Sequence, residues 1–218
     1  MAGDTQGARI RALFLGSTGE VAIIAPFIKV NAMRSLLDVV PSDTHLRCVT
    51  RWLSREVATG VSDPEILDVL EERGDFDLSL VDRLHAKLYI AGDRCLAGSA
   101  NTTLAGLGEV GDGGNIEVLV ETTIDDPGIA ATLDEIAQAE RPATRSMART
   151  ARRLADSLAG STASAVGLDA PWFPGSRRPE QAYTFYAQPP SGFVGAADRV
   201  LLADLASSNL QPGLEEDE

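Results

Sequence analysis

Between Phe76 and Glu121 the chain is built of strand-length segments: Phe76 to Val81, Leu84 to Ala91, Arg94 to Ser99 and Ile116 to Glu121. Gly92-Asp93 separates the second from the third. A two-residue break of this kind between apolar runs closes a tight antiparallel hairpin. Upstream the pattern alternates. Val21 to Ile28 and Leu46 to Trp52 read as strands, and Asn31 to Val40 has helical spacing at Met33, Leu36, Leu37 and Val40. Ser62-Asp63-Pro64-Glu65 is a helix start, with Asp63 as cap and Pro64 at the first helical position. That helix is expected to reach Glu72 and stop at Gly74. Asp126-Pro127 opens another, reaching Ala139, and Pro142 starts a long one to Leu158. Strands alternating with helices, then a hairpin, predict an α/β domain with a mixed sheet.

After Gly160 the composition shifts to Ser, Gly, Ala and Pro, so Gly160 to Ala170 reads as a linker. The expected organisation is a main domain over 1–160 and a loop-and-helix appendage over 161–210 that packs on it. A disordered acidic tail over 211–218 ends in Glu215, Glu216, Asp217 and Glu218. Trp172, Phe173, Tyr183, Phe185 and Tyr186 make the appendage aromatic-rich; Trp172, Tyr183 and Tyr186 read as packing residues of a small lid or interface rather than as base-stacking platforms. No internal repeat is present.

With 218 residues, 44% hydrophobic and 23% charged, the chain can bury a sizeable core. It has no apolar run of membrane-spanning length and no secretory-type start, and Cys48 and Cys95 lack metal-ligand spacing. A cytoplasmic location without membrane contact is the expectation. A net charge of −13 excludes coating of nucleic acid over a broad surface but leaves room for a local basic cleft. Arg141, Arg145, Arg149, Arg152 and Arg153 follow one another with no acid between them, and read as a solvated helix face.

The only histidines are His45 and His85, and the only lysines Lys29 and Lys87. One of each falls in His85-Ala86-Lys87, in a chain that otherwise uses arginine for positive charge. On a strand, residues two apart share a face, so His85 and Lys87 point together. The hairpin lays Ser99 and Asn101 back toward the same end, and the next strand offers Asn115 and Glu117. That set suits phosphoryl chemistry: a neutral imidazole as nucleophile, a compact cation, and donors for the non-bridging oxygens. Glu117 would hold the imidazole in its useful tautomer. No carboxylate cluster suited to a divalent ion accompanies them, so neither metal nor other cofactor is expected and Lys87 is the cation.

His85-x-Lys87, Asp93, Gly98-Ser99-x-Asn101 and Asn115-x-Glu117 together resemble the His-Lys-Asp signature of the phospholipase D superfamily. Ala25-Pro26-Phe27-Ile28 and Thr50-Arg51-Trp52 resemble its bacterial nuclease-like members, and the resemblance runs from Val21 to Glu121. It implies a mixed β-sheet flanked by helices on both faces. It also implies a hydrolase acting on phosphodiester bonds, nucleic acid foremost, through a phosphohistidine on His85, with Lys87 and Asn101 binding phosphate. Ser99 and Asn115 complete the substrate-binding set. Members with two motifs place both in one cleft, so a one-motif chain is expected to form a homodimer with a shared active site. Asp93 falls one residue later than the usual spacing, in the hairpin turn, and reads as structural.

Other readings stay open at this point. A phospholipase or phosphatidyl transferase would use the same chemistry, but would want a membrane-binding element. A non-catalytic module binding phosphate or nucleic acid would not need His85. Ser99 and Asn101 also suit a helix cap, and Glu117 an arginine partner. His45 has no Gly-Ser-x-Asn behind it and reads as a structural histidine.

Overall fold

Val21, Ala22, Ile23 and Ile24 are all buried, so the strand they form, β1 (Val21–Ile24), is covered on both faces. The computed structural model describes residues 5–17, 19–111 and 114–165, with side chains of the last helix described as far as Leu158. These residues form a seven-stranded sheet with β1 at its centre. β1 runs parallel to β2 (Leu46–Thr50), which runs parallel to β3 (Phe76–Leu80). On its other side lie β4 (Leu88–Ala91), β5 (Arg94–Gly98) and β6 (Leu119–Thr123), each antiparallel to its neighbour. The short β7 (Arg141–Pro142) closes the opposite edge against β3, giving the order β6-β5-β4-β1-β2-β3-β7.

Helices cover both faces, as expected of the α/β class. On one face, α1 (Gln6–Phe14), α2 (Val30–Leu37), α3 (Ser54–Ala58), α4 (Ile66–Arg73) and α5 (Leu104–Leu107) bring Ile10, Phe14, Met33, Leu36, Val57, Leu70 and Leu107 against Ile23, Cys48 and Tyr89. The long α7 (Arg145–Ala165) adds Ala151 and Ala155 to the same cluster. On the other face α6 (Pro127–Ala139) packs Ile136, Leu133 and Ile129 on Ile24, Val49, Leu88 and Cys95. This second cover stops short of the β6 edge, where Val118 and Val120 are 58% and 59% exposed and Ile116 fully so. Cys48 and Cys95 belong to opposite cores, and burial pushes their thiols up to about 12 and about 11.

Several elements depart from the sequence reading, two of them through a distant partner. Asp63 does not cap its own helix. Its carboxylate accepts the Val30 N–H at 3.0 Å and Lys29 Nζ at 2.6 Å, capping α2, while α4 begins only at Ile66. Pro142 does not open a helix: it pairs with Ser79 in β7, and Thr144 Oγ1 then accepts the Met147 N–H at 3.2 Å as α7 starts at Arg145. α7 also continues through Gly160 to Ala165. One glycine costs about 1 kcal/mol against alanine, too little to stop a helix already propagating. α1 and α3 have no counterpart in the sequence reading, although Thr5 caps α1 through the Ala8 N–H; the helical turn after Ser99 and Asn101 is α5, and its cap is Thr103, which accepts the Gly106 N–H. From residue 166 onward the appendage, and all of the acidic tail, lie outside the described residues.

The arginine face of α7 is solvated, with Arg145, Arg149 and Arg153 exposed, and two of its arginines also act as a clamp. Arg145 pairs with Asp68 and Glu71, and Arg152 with both carboxylate oxygens of Glu65 at 2.7 and 2.6 Å, tying α7 to α4. Arg152 holds the Glu65 carboxyl below its ordinary range.

His45 sits between Asp75 at 2.9 Å and Asp77 at 3.3 Å. The hydrogen bond with Asp75 raises its pKa above 6.5. A raised folded-state pKa contributes stability that is fully present below the unfolded value and fades as pH climbs through the folded one. Asp75→Asn should therefore lower the thermal midpoint at about pH 6 and leave it unchanged at about pH 9. Asp75 has φ of 48°, which asparagine tolerates, so the backbone does not confound the comparison. Equal shifts at both pH values would refute the ion-pair origin.

Candidate active site

Strand register decides which loops meet. Ile24 is level with Val49 on one side and Leu88 on the other, and Leu88 with Ala97. The carboxyl ends of β1 and β2, the start of β4 and the end of β5 therefore share one edge, the side of an open α/β sheet on which ligands bind. Leu84–Lys87 leads into this edge before β4, Ser99–Asn101 leaves it after β5, and Asn115–Glu117 enters it before β6.

Residues 84–87 form an extended strap rather than the first half of a strand: β4 begins at Leu88. Only the Lys87 carbonyl continues the ladder, accepting the Gly98 N–H at 3.1 Å. Leu84 and Lys87 are buried while His85 is exposed, and among the described residues its ring makes no hydrogen bond or ion pair. His85 borders a cavity of about 180 Å³ that also touches Arg83, Ala86, Thr132 and Glu135. Lys87 is 7% exposed and its Nζ donates to the His85 carbonyl at 2.7 Å. Burial, and then the charge of Arg51, lower its pKa, while Glu117 opposes them.

Glu117 is the hub of the other half. It accepts Ser99 Oγ on one carboxylate oxygen and Asn115 Nδ2 on the other at 3.0 Å, and Ser99 Oγ itself accepts the Val118 N–H at 3.0 Å. Its backbone is pinned from α1: Gln6 Nε2 donates to the Glu117 carbonyl at 3.1 Å and Arg9 Nη1 to that of Leu119 at 2.9 Å. β6 begins at Leu119, so Ile116–Val118 precede the strand expected to contain them. Gly98 is required here by close approach: a β-carbon would collide with the Val118 carbonyl.

Asn101 sits on a turn held by its neighbours. Tyr89 Oη donates to the Ala100 carbonyl at 3.0 Å and meets Thr102 Oγ1 at 3.1 Å, while the Thr102 carbonyl accepts the Lys29 N–H at 2.9 Å. Asn101 Oδ1 is buried and has no hydrogen-bond partner among the described residues. Such an orphan costs about 1–3 kcal/mol, and in a rigid turn it marks a side chain kept for something other than packing.

The structure thus joins Ser99, Asn115 and Glu117 directly, couples Lys87 to Glu117 electrostatically, and places His85 and Asn101 on the same edge without bonding either to that network. Asp93 stands at the opposite ends of β4 and β5, where its carbonyl accepts the Ile124 N–H at 3.0 Å. Among the described residues no group of three or more His, Cys, Asp or Glu is arranged to hold a metal ion. Nor is any helix among them long and apolar enough to cross a membrane. Sequence reasoning passed over Gln6, Arg9 and Arg51 as site residues. Arg51 alone had a signal, as part of Thr50-Arg51-Trp52.

No family model matches the chain, and no curated protein does. Among solved structures it is similar to NucT from Helicobacter pylori, at 15% identity and a TM-score of 0.45, over 60% of this chain and 84% of that one. It is also similar to phosphatidylserine synthase from Haemophilus influenzae, at 14% identity and a TM-score of 0.47, over 71% of this chain and 41% of that one. TrmBL2, an archaeal chromatin protein, follows at 17% identity and a TM-score of 0.38, over 61% and 47%. At such identities and TM-scores these likenesses carry no argument about activity. The chain is an open, mixed α/β sheet with helices on both faces, and the chemistry must be read from the edge that carries His85, Lys87, Ser99, Asn101, Asn115 and Glu117.

Proposed function

We propose that this chain is a nuclease-like phosphodiesterase of the phospholipase D type, cleaving nucleic acid without a metal ion through a phosphohistidine on His85. The observation that carries this reading is an exposed imidazole with no partner among the described residues, set two residues from a buried lysine on a sheet edge rich in amide and hydroxyl donors. A neutral ring nitrogen of His85 attacks phosphorus, the bond to the leaving oxygen breaks, and that oxygen takes a proton from a second imidazole. Water then gives its proton to the same second imidazole and displaces His85 from phosphorus. Lys87, Asn101 and Ser99 stabilise charge on the non-bridging oxygens. Asn115 holds Glu117, and the carboxylate, with acceptor sites beyond the two already used, orients the attacking ring.

One chain offers one such imidazole. In-line displacement wants nucleophile and proton donor on opposite sides of phosphorus, so the second comes from another copy across a two-fold axis. Support comes from the uncovered apolar stripe of Ile116, Val118 and Val120, which adjoins Asn115 and Glu117 and suits burial against a second copy.

The test is incubation of the purified protein with labelled single- and double-stranded DNA, RNA and a phospholipid in excess EDTA. Cleavage of nucleic acid should proceed at an undiminished rate. Loss on chelation and recovery with Mg²⁺ or Mn²⁺ would refute the metal-independent mechanism, and turnover of the phospholipid alone would transfer the reading to lipid chemistry.

A further inference from the structure

Directly after β2, Arg51 reaches across the edge to the strap that carries His85. Its Nη1 donates at 2.6 Å to the carbonyl of Leu84, the residue before His85. Its Nε donates to Glu56 Oε2 at 3.0 Å, and Nη2 to the other carboxylate oxygen. The guanidinium carbon stands 5.3 Å from the centre of the Phe27 ring. The Arg51 side chain is 15% exposed and that of Glu56 18%, so the pair is largely out of water. A planar fork held by a carboxylate, a carbonyl and an aromatic ring has essentially one orientation.

The strap needs such an anchor. Its other polar ties among the described residues are the Leu84 N–H to the Val81 carbonyl, the Gly98 N–H to the Lys87 carbonyl, and Lys87 Nζ to the His85 carbonyl. None of these fixes the peptide that enters His85 from its amino-terminal side. We propose that Arg51 is a positioning residue for His85: through the Leu84 carbonyl it sets the height and rotation of the peptide that presents the imidazole, and Glu56 fixes Arg51 in turn. The proposal rests on the phosphodiesterase reading for its kinetic consequence, while its structural consequence can be read without turnover.

Three variants separate the effects. Arg51→Met keeps the stem over Phe27 and loses the fork. Arg51→Lys keeps the charge, but one ammonium cannot span the Leu84 carbonyl and both carboxylate oxygens. Glu56→Gln leaves Arg51 in place with a weaker anchor. Arg51→Met should lower kcat about 100-fold, the scale of a small misplacement of a reacting group, with KM nearly unchanged. Arg51→Lys should recover little of it, and the Arg51→Met/Glu56→Gln double variant should be no slower than Arg51→Met, because both changes remove one linkage.

The second readout uses the two histidines of the chain, whose ring resonances in a ¹H–¹³C spectrum are few enough to assign. Arg51→Met should shift and broaden His85 and leave His45 unmoved, the latter marking a folded protein. Glu56→Gln should give the same change in smaller size, and serves where Arg51→Met does not fold. An unmoved His85 resonance with wild-type kcat would overturn the proposal. So would full activity in Arg51→Lys, which would make charge rather than the fork responsible. Should His85→Ala itself retain turnover, the phosphohistidine mechanism falls, and the His85 resonance still decides the positioning role.

Discussion

His85→Ala should abolish turnover, lowering kcat by about four orders of magnitude or more, the scale seen when a nucleophile is removed. The fold should hardly notice. His85 is exposed and its ring has no partner among the described residues, so the stability change should stay within about 0.5 kcal/mol. His85→Asn should likewise remain folded and still bind substrate, since Lys87, Ser99 and Asn101 are untouched. The alternative nucleophile on this edge is Ser99, but its hydroxyl already donates to Glu117 and accepts from the Val118 N–H. Near-normal rates in His85→Ala, with Ser99→Ala inactive instead, would reverse the assignment. Phosphate trapped on the protein in acid-labile, base-stable form during turnover is the direct signature of the P–N bond.

Mixed dimers of wild type and His85→Ala should be nearly inactive, because each has lost half of the one site it builds. With random reassortment of equal amounts, about one dimer in four retains both imidazoles, so activity should fall to about half of what the same wild-type chains give alone. Independent sites would leave it unchanged. Light scattering should report about twice the 23.0 kDa chain mass at working concentration. One imidazole must be neutral to attack and the other protonated to donate, so the pair titrates as a unit and the pH–rate profile is bell-shaped. A monomer with full activity, or mixed dimers that keep half of it, would sink the shared site.

What the sequence by itself determined is local. The Gly92-Asp93 hairpin, the apolar strands β1 to β3 and the spacing of His85 with Lys87, Ser99 with Asn101 and Asn115 with Glu117 follow from turn chemistry and from periodicity over a few residues; the structure sets the strands in one sheet and the three pairs in the segments that flank β4, β5 and β6. What only the tertiary structure decided depends on partners far along the chain. Gly98 is glycine because the Val118 carbonyl arrives against it, and Asp63 caps α2 because Val30 presents its N–H there. Pro142 becomes a strand residue because β3 leaves an edge to pair, and the arginines of α7 find their acids on α4. In sequence Arg51 stands out only within Thr50-Arg51-Trp52, with no role attached to it. Its role depends on Leu84, whose carbonyl comes within 2.6 Å only when β2 and β4 are laid on either side of β1. Local signals fix φ, ψ and the side of a strand; which groups meet at its end is settled by long-range pairing, whose partners no short window contains.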